Sequence, residues 1–204
     1  FAGYVAAQMG LPVARPVVAT NVNDILYRAL SDGDYSAGQV VPTATPSMDI
    51  QVSSNFERLL FDVGGRDGTA LAEQMRGFEA SRAMRLTNAQ REGASRLFTS
   101  ARVDADGMAD AMRWAWEHAG QIIDPHTAVG LAAARADGGD MAIPMVTLAT
   151  AHPAKFRDAV ERATGRRPAL PARVGSLFER EERCVSLPGD YAAVRDFVLA
   201  NAGR

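Results

Sequence analysis

The sequence predicts a layered α/β fold, a mainly parallel sheet with crossover helices, and three observations carry that expectation. Short apolar runs rich in β-branched residues, Pro16–Thr20 and Ile143–Ala149 the clearest, are too brief for helices and read as interior strands. Longer stretches with apolar residues at helical spacing separate them, and strands alternating with helices require crossover connections and hence parallel pairing. Amide, hydroxyl and imidazole groups collect just past the carboxyl ends of these runs, where open α/β sheets hold their ligands.

Gly3 to Met9 reads as a short helix stopped by Gly10 and Pro12. Pro16–Thr20 is a strand ended by Asn21, and Asn23 is a candidate cap for a helix running to about Leu30. Residues 31–45, rich in Gly, Ser, Asp and Pro, predict an extended surface loop. Ser54 and Glu57 have capping-box spacing, and Phe56, Leu59, Leu60 and Val63 share one face of a helix that Gly64 and Gly65 end. Two helices follow, Thr69–Met84 and Asn88–Phe98, with strand character at the end of Leu97–Val103.

Asp104 and Asp106 complement the dipole at the next helix start. Met108, Ala111, Met112, Ala115 and Ala119 trace its apolar stripe, and Gly120 closes it. Trp114 and Trp116 cannot both face inward from that helix, so at least one marks a surface that is normally covered. Gln121–Ile123 is a brief strand leading into Asp124-Pro-His126, and Thr127–Ala136 is helical. After Ile143–Ala149, Pro153 suits the first turn of a helix because its missing N–H would be unpaired there. Pro168–Pro171 reads as a linker between a core portion, 1–167, and residues 168–204, whose last helix carries Tyr191, Val194, Phe197 and Val198 on one side.

Composition narrows the function. A chain of 204 residues, 47% hydrophobic and 23% charged, has enough apolar surface for a sizeable core. Its net charge of −2 gives no pull toward nucleic acid or an anionic membrane, and no apolar run reaches the 18 or so residues of a membrane span. Cys184 is alone, which excludes an intrachain disulfide and fits a reducing, cytoplasmic compartment. The three histidines and this cysteine are too scattered for a zinc site, so no metal is expected. Gly-x-Ser-x-Gly, Walker and Cys-x-x-Cys patterns are all absent, leaving hydrolase, nucleotide and redox-disulfide readings without their minimal parts.

The most informative tract is Thr147-Leu-Ala-Thr-Ala-His-Pro-Ala-Lys-Phe156, where a strand-like run opens into hydroxyls, a histidine and the chain's single lysine. It resembles the threonine synthase family, pyridoxal-phosphate enzymes of fold type II. Further stretches match in the family's order. They are Gly3-Tyr-Val-Ala-Ala-Gln-Met-Gly-Leu-Pro12, Thr20-Asn-Val-Asn-Asp-Ile-Leu26, Pro46-Ser-Met-Asp-Ile50 with Ser54-Asn-Phe-Glu-Arg58, and Asp124-Pro-His-Thr-Ala-Val-Gly130. The resemblance covers about residues 3 to 160 and is loose over the last forty or so. It implies the large-domain portion of such an enzyme, converting O-phospho-L-homoserine and water to L-threonine and phosphate.

The same resemblance implies roles for particular residues. Thr150 would face the pyridine nitrogen of pyridoxal 5′-phosphate, where a neutral hydroxyl leaves the ring nitrogen largely unprotonated. The competing reading of Thr150 is a simple helix cap. Asn21, Asn23, His126 and Lys155 are substrate-pocket candidates, with Ser47 and Asp49 on a nearby loop. The family's Schiff-base lysine and its glycine-rich phosphate loop belong upstream of Phe1. The chain is therefore expected to be a carboxy-terminal portion, inactive without the amino-terminal half. Lys155 is expected to meet a phosphate or a carboxylate instead. Two alternatives remain open: another fold type II lyase of the serine or threonine dehydratase kind, separated by whether its substrate carries phosphate, and a noncatalytic binding or assembly module.

Overall fold

The computed structural model describes residues 1–140 and 142–203, in two compact units, Phe1–Ala169 and Leu170–Arg204. In the first unit, β1 (Val17–Thr20) and β2 (Thr99–Arg102) pair in parallel, Val17 opposite Thr99 and Thr20 opposite Arg102. Helix α1 (Ala2–Gln8) precedes β1, and the crossover between the strands carries α2 (Ile25–Asp32), α3 (Phe56–Val63), α4 (Gly68–Ser81) and α5 (Asn88–Ser95). After β2 come α6 (Ala105–Ala119), α7 (Pro125–Ala136), a 3-10 turn at Pro153–Phe156 and α8 (Arg157–Thr164). The fold is thus mixed α/β with a parallel sheet, but two of the four expected strands form among the described residues. Gln121–Ile123 and Ile143–Ala149 are irregular, and Ile143, Met145, Val146 and Leu148 are exposed. Their apolar composition suits a strand interior, yet a strand exists only where a neighbour takes its N–H and C=O groups, and neither stretch has one here.

The largest core cluster gathers around Tyr35, whose ring stacks on Phe56 at 4.8 Å and meets Phe78 at 5.1 Å, with Ile25, Leu60 and Tyr4 around them. Residues 31–45 are therefore not wholly a surface loop: α2 runs to Asp32, and Tyr35 and Thr45 are each 1% exposed. A second cluster of Ala111, Met112, Ala128 and Val160 sits between α6, α7 and α8, where small side chains let the helices approach closely. A third, Val103, Val129 and Ala133 with Val17 and Ala19, packs α7 against the strands.

Capping explains most helix starts, with two departures from expectation. Asn55 is the residue before α3 and makes no side-chain cap bond, so Ser54 and Glu57 lie one residue out of register for a capping box. The box forms instead at Thr87 and Gln90, opening α5. Asp104 accepts the Gly107 N–H at 2.8 Å to open α6, and Gly120, at φ 62°, closes it as expected. Asn23 does not cap α2: Asp24 stands at that position, without a side-chain cap bond, because the Asn23 amide is engaged elsewhere.

Both tryptophans of α6 are half-buried, and the chain itself covers them. The Arg135 guanidinium lies 4.5 Å from the Trp114 ring centre, with His118 stacked on the same indole at 5.1 Å. Arg166 lies 5.0 Å from the Trp116 ring centre. The aliphatic stems and flat heads of arginine supply that cover.

The second unit contains 3-10 turns at Ala172–Val174 and Leu177–Glu179 and helix α9 (Tyr191–Asn201), capped by Asp190 accepting the Ala193 N–H at 2.9 Å. Tyr191, Val194, Phe197 and Val198 on this helix are exposed. Among the described residues, no helix is long and apolar enough to cross a membrane.

Candidate functional site

Two asparagines just past β1 tie the sheet end to the loop that follows α2. Asn21 donates from Nδ2 to Thr43 Oγ1 at 3.0 Å, Thr45 Oγ1 at 2.8 Å and Asp49 Oδ1 at 2.7 Å, and its Oδ1 accepts the Asn23 N–H at 2.8 Å. Asn23 clamps the backbone of one residue from both sides, accepting the Val41 N–H at 2.8 Å and donating to the Val41 carbonyl at 2.9 Å. Asp49 also receives the Thr43 N–H at 2.7 Å. Both asparagines are buried, so these bonds offset the desolvation of their amides. The loop is thereby fixed in shape before any ligand arrives.

That loop reaches the start of α7 through Ser47, whose N–H donates to His126 Nε2 at 3.4 Å. With Nε2 accepting, the neutral ring carries its proton on Nδ1, which lies 2.9 Å from Asp124 Oδ1. Asp124 has no exposed surface and caps α7, receiving the N–H of His126 at 2.9 Å and of Thr127 at 3.3 Å, together with the Thr127 hydroxyl. A carboxylate there also complements the helix dipole, and Pro125 at the first helical position sacrifices no bond. Having donated to Asp124, Thr127 Oγ1 accepts the Thr150 N–H at 3.1 Å.

One chain of hydrogen bonds therefore runs from Asn21 and Asn23 through Asp49, Ser47, His126, Asp124 and Thr127 to Thr150, with one covalent step along the loop. Thr150 is exposed, and its hydroxyl makes no hydrogen bond among the described residues. It does not cap the following turn; His152 does, its Nδ1 accepting the Ala154 N–H at 3.1 Å. Lys155 joins by packing alone, with Nζ 5.8 Å from the centre of the Phe156 ring, which in turn lies 4.6 Å from the His126 ring. Lys155 is exposed and forms no ion pair among the described residues. A groove of about 700 Å³ lined by Phe1, Tyr4, Phe61, Asp62 and Leu71 lies elsewhere, and none of the candidate residues lines it.

Sequence reasoning singled out Asn21, Asn23, His126 and Thr150 but not the groups that join them, Asp124, Thr127, Thr43 and Thr45. The signal for two of these was present: Asp, then Pro, then a threonine at the third helical position is a capping pattern. Chemically the arrangement offers an exposed neutral hydroxyl, a buried carboxylate–imidazole pair linked to it through Thr127, and one exposed ammonium packed on Phe156. Among the described residues no group of acidic, histidine or cysteine side chains is placed to hold a metal.

Comparison with known proteins points to one family. The family model described as threonine synthase, C-terminal, matches residues 127–198. Curated threonine synthases from Pseudomonas aeruginosa and Saccharomyces cerevisiae are 48% and 39% identical, over 100% and 79% of this chain and 44% and 35% of their own lengths. The crystal structure of a PLP-bound threonine synthase from Brucella melitensis superposes with a TM-score of 0.90 at 41% identity, over 100% of this chain and 44% of that one. The yeast threonine synthase structure gives 0.82 at 35% identity, over 89% and 40%. The chain spans less than half the length of the curated relatives it matches.

The fold and its strand-end residues define a mixed α/β domain of the parallel-sheet class. Within that class the chain belongs to the threonine synthase family and corresponds to its carboxy-terminal portion.

Proposed function

We propose that this chain is the carboxy-terminal portion of a pyridoxal-phosphate enzyme that converts O-phospho-L-homoserine and water to L-threonine and phosphate. The observation that carries the reading is Thr150, an exposed hydroxyl with no intrachain partner, held through its backbone at the end of a buried polar chain. The threonine synthases of Pseudomonas aeruginosa and Brucella melitensis, 48% and 41% identical over the whole of this chain, support it. The residues present fit one wall of a cofactor site. Thr150 offers the ring nitrogen a neutral partner, while the buried bonds of Asn21, Asn23 and His126 give that wall its rigidity.

When bound, pyridoxal phosphate supplies an electron sink that labilises protons of an amino acid substrate. Around it, Thr150 would hold the ring nitrogen without a full positive charge, His126 and the Asn21–Asn23 loop would line the substrate space, and Lys155 would present its ammonium to an anionic group. We assign the site to residues 1–167 and read 168–204 as a linker and terminal helix, a division supported by compact units that part after Ala169. The lone Cys184 supports a cytoplasmic location. Polypeptide on the amino-terminal side would supply the lysine and phosphate loop.

The test uses the full-length protein that carries this chain, supplied with pyridoxal phosphate. Release of phosphate from O-phosphohomoserine with equal formation of threonine is expected. Formation of a 2-oxo acid from unphosphorylated serine or threonine would point to a dehydratase, and no turnover of either would point to a binding or assembly module. The 204-residue chain assayed alone is expected to release no phosphate, because its single lysine, Lys155, lies exposed on a 3-10 turn.

A further inference from the structure

We propose that Thr127 is a positioning residue: its hydroxyl, anchored on Asp124, sets the height of the Thr150 peptide and so the direction in which the Thr150 hydroxyl points. The inference rests on the reading that Thr150 meets the cofactor ring.

The geometry makes the hydroxyl of Thr127 a relay between a fixed group and a free one. Its proton goes to Asp124, which is fully buried and itself held by His126, so the oxygen has one defined orientation. A lone pair on the same oxygen accepts the Thr150 N–H at 3.1 Å. One turn further along α7, Gly130 brings the backbone of the helix close to the same segment, where a Cβ would lie 3.3 Å from Thr147 Cγ2. Thr127 and Gly130, at i and i+3, share a face of α7. Position 127 meets 150 while 130 meets 147, so the segment runs antiparallel to the helix.

Residues 142–150 have no strand neighbour, and nearly all are exposed. An exposed segment held at two places on a rigid helix takes its orientation from those places. Of the two, only Thr127 uses a hydrogen bond, and only it is wired to the carboxylate that orders His126. A serine at 127 preserves the oxygen and a valine preserves the shape, which separates the bond from the packing.

The experiment compares Thr127→Val and Thr127→Ser in the full-length protein by amide hydrogen exchange without cofactor and by the absorbance of added pyridoxal phosphate. Thr127→Val is expected to speed exchange at the Thr150 amide about tenfold relative to Met112 in the core, the loss of one ordinary hydrogen bond, and to shift or weaken the bound-cofactor band. Thr127→Ser is expected to restore both. Unchanged exchange at Thr150 in Thr127→Val, or a serine variant that behaves like the valine, would overturn the proposal. A rise shared equally by Met112 would also count against it, as a merely structural effect. If Thr127→Val does not fold, Thr127→Ala takes its place with the same expectations, and failure of both variants to fold assigns Thr127 to stability and rejects positioning. Thr150→Val tests the underlying reading by itself: an unaltered cofactor band there removes the cofactor contact while leaving the exchange result intact.

Discussion

Gly93 of α5 meets Val63 of α3 so closely that a Cβ at position 93 would stand 2.8 Å from the Val63 Cβ. That carbon belongs to a residue anchored at a helix end, and it cannot swing aside as the tip of a long side chain would.

Gly93→Ala is expected to destabilise the protein by about 1–3 kcal/mol, because overpacking forces α3 and α5 apart. Gly77 supplies the contrast, since a Cβ there meets nothing within 4 Å in the middle of α4. Gly77→Ala should stabilise by up to about 1 kcal/mol through helix propensity alone. Urea denaturation of the two variants should move the midpoint in opposite directions.

Asp124 accepts four hydrogen bonds with no access to water. Asp124→Asn replaces one acceptor oxygen with a donor facing donors, and the loss is expected to be about 2–3 kcal/mol. The same variant should loosen the contact between His126 and Ser47, which the chemical shift of the Ser47 amide would report.

Asp34 sits beside Ser36 and the Arg28 guanidinium, at 2.8 Å from the latter, and their hydrogen bonds hold its carboxyl below the ordinary carboxylate range against the opposing effect of burial. A folded-state pKa below the unfolded one means that the contribution is complete above about pH 4 and is lost as pH falls through the folded value. Stability measured from pH 5 downward should therefore fall less steeply in Asp34→Asn than in the parent chain.

Tyr35 behaves in the opposite sense. Burial raises its phenol pKa, and the hydroxyl accepts the Ser53 N–H at 2.7 Å. Because the folded state binds the proton more tightly than the unfolded chain, this contribution is complete below about pH 10 and is lost as pH rises through the folded value. Tyr35→Phe should lose that alkaline decline and cost about 1–2 kcal/mol at neutral pH, since the Ser53 N–H is left unpaired. Thermal unfolding between pH 8 and 11 would show both effects.

Much of this was legible in the residues because much of it is local. The stripe of Met108, Ala111, Met112 and Ala115 repeats at the helical period, and α6 follows it. Helix α7, expected from Thr127, begins two residues earlier at Pro125, behind the Asp124 cap. Strands were read less well because pairing depends on chain far away: β1 finds β2 some eighty residues on, while Ile143–Ala149 has equal apolar character and no neighbour. Asn23 shows a third kind of difficulty. A cap and a loop clamp call for the same short amide, and only the position of Val41 decides between them. Thr150 is expected at the end of a strand that does not form, and the Thr127 oxygen that holds it instead belongs to a contact between a helix and an irregular segment, which leaves no periodic trace.

The arginine-covered indoles of α6 also equip the protein with two built-in optical gauges. Trp114 reads the end of α7 through Arg135, and Trp116 reads the end of α8 through Arg166. Replacing either tryptophan by phenylalanine leaves a single indole in these 204 residues, so fluorescence from each variant of this chain would follow the separation of one helix pair at a time, with no dye attached.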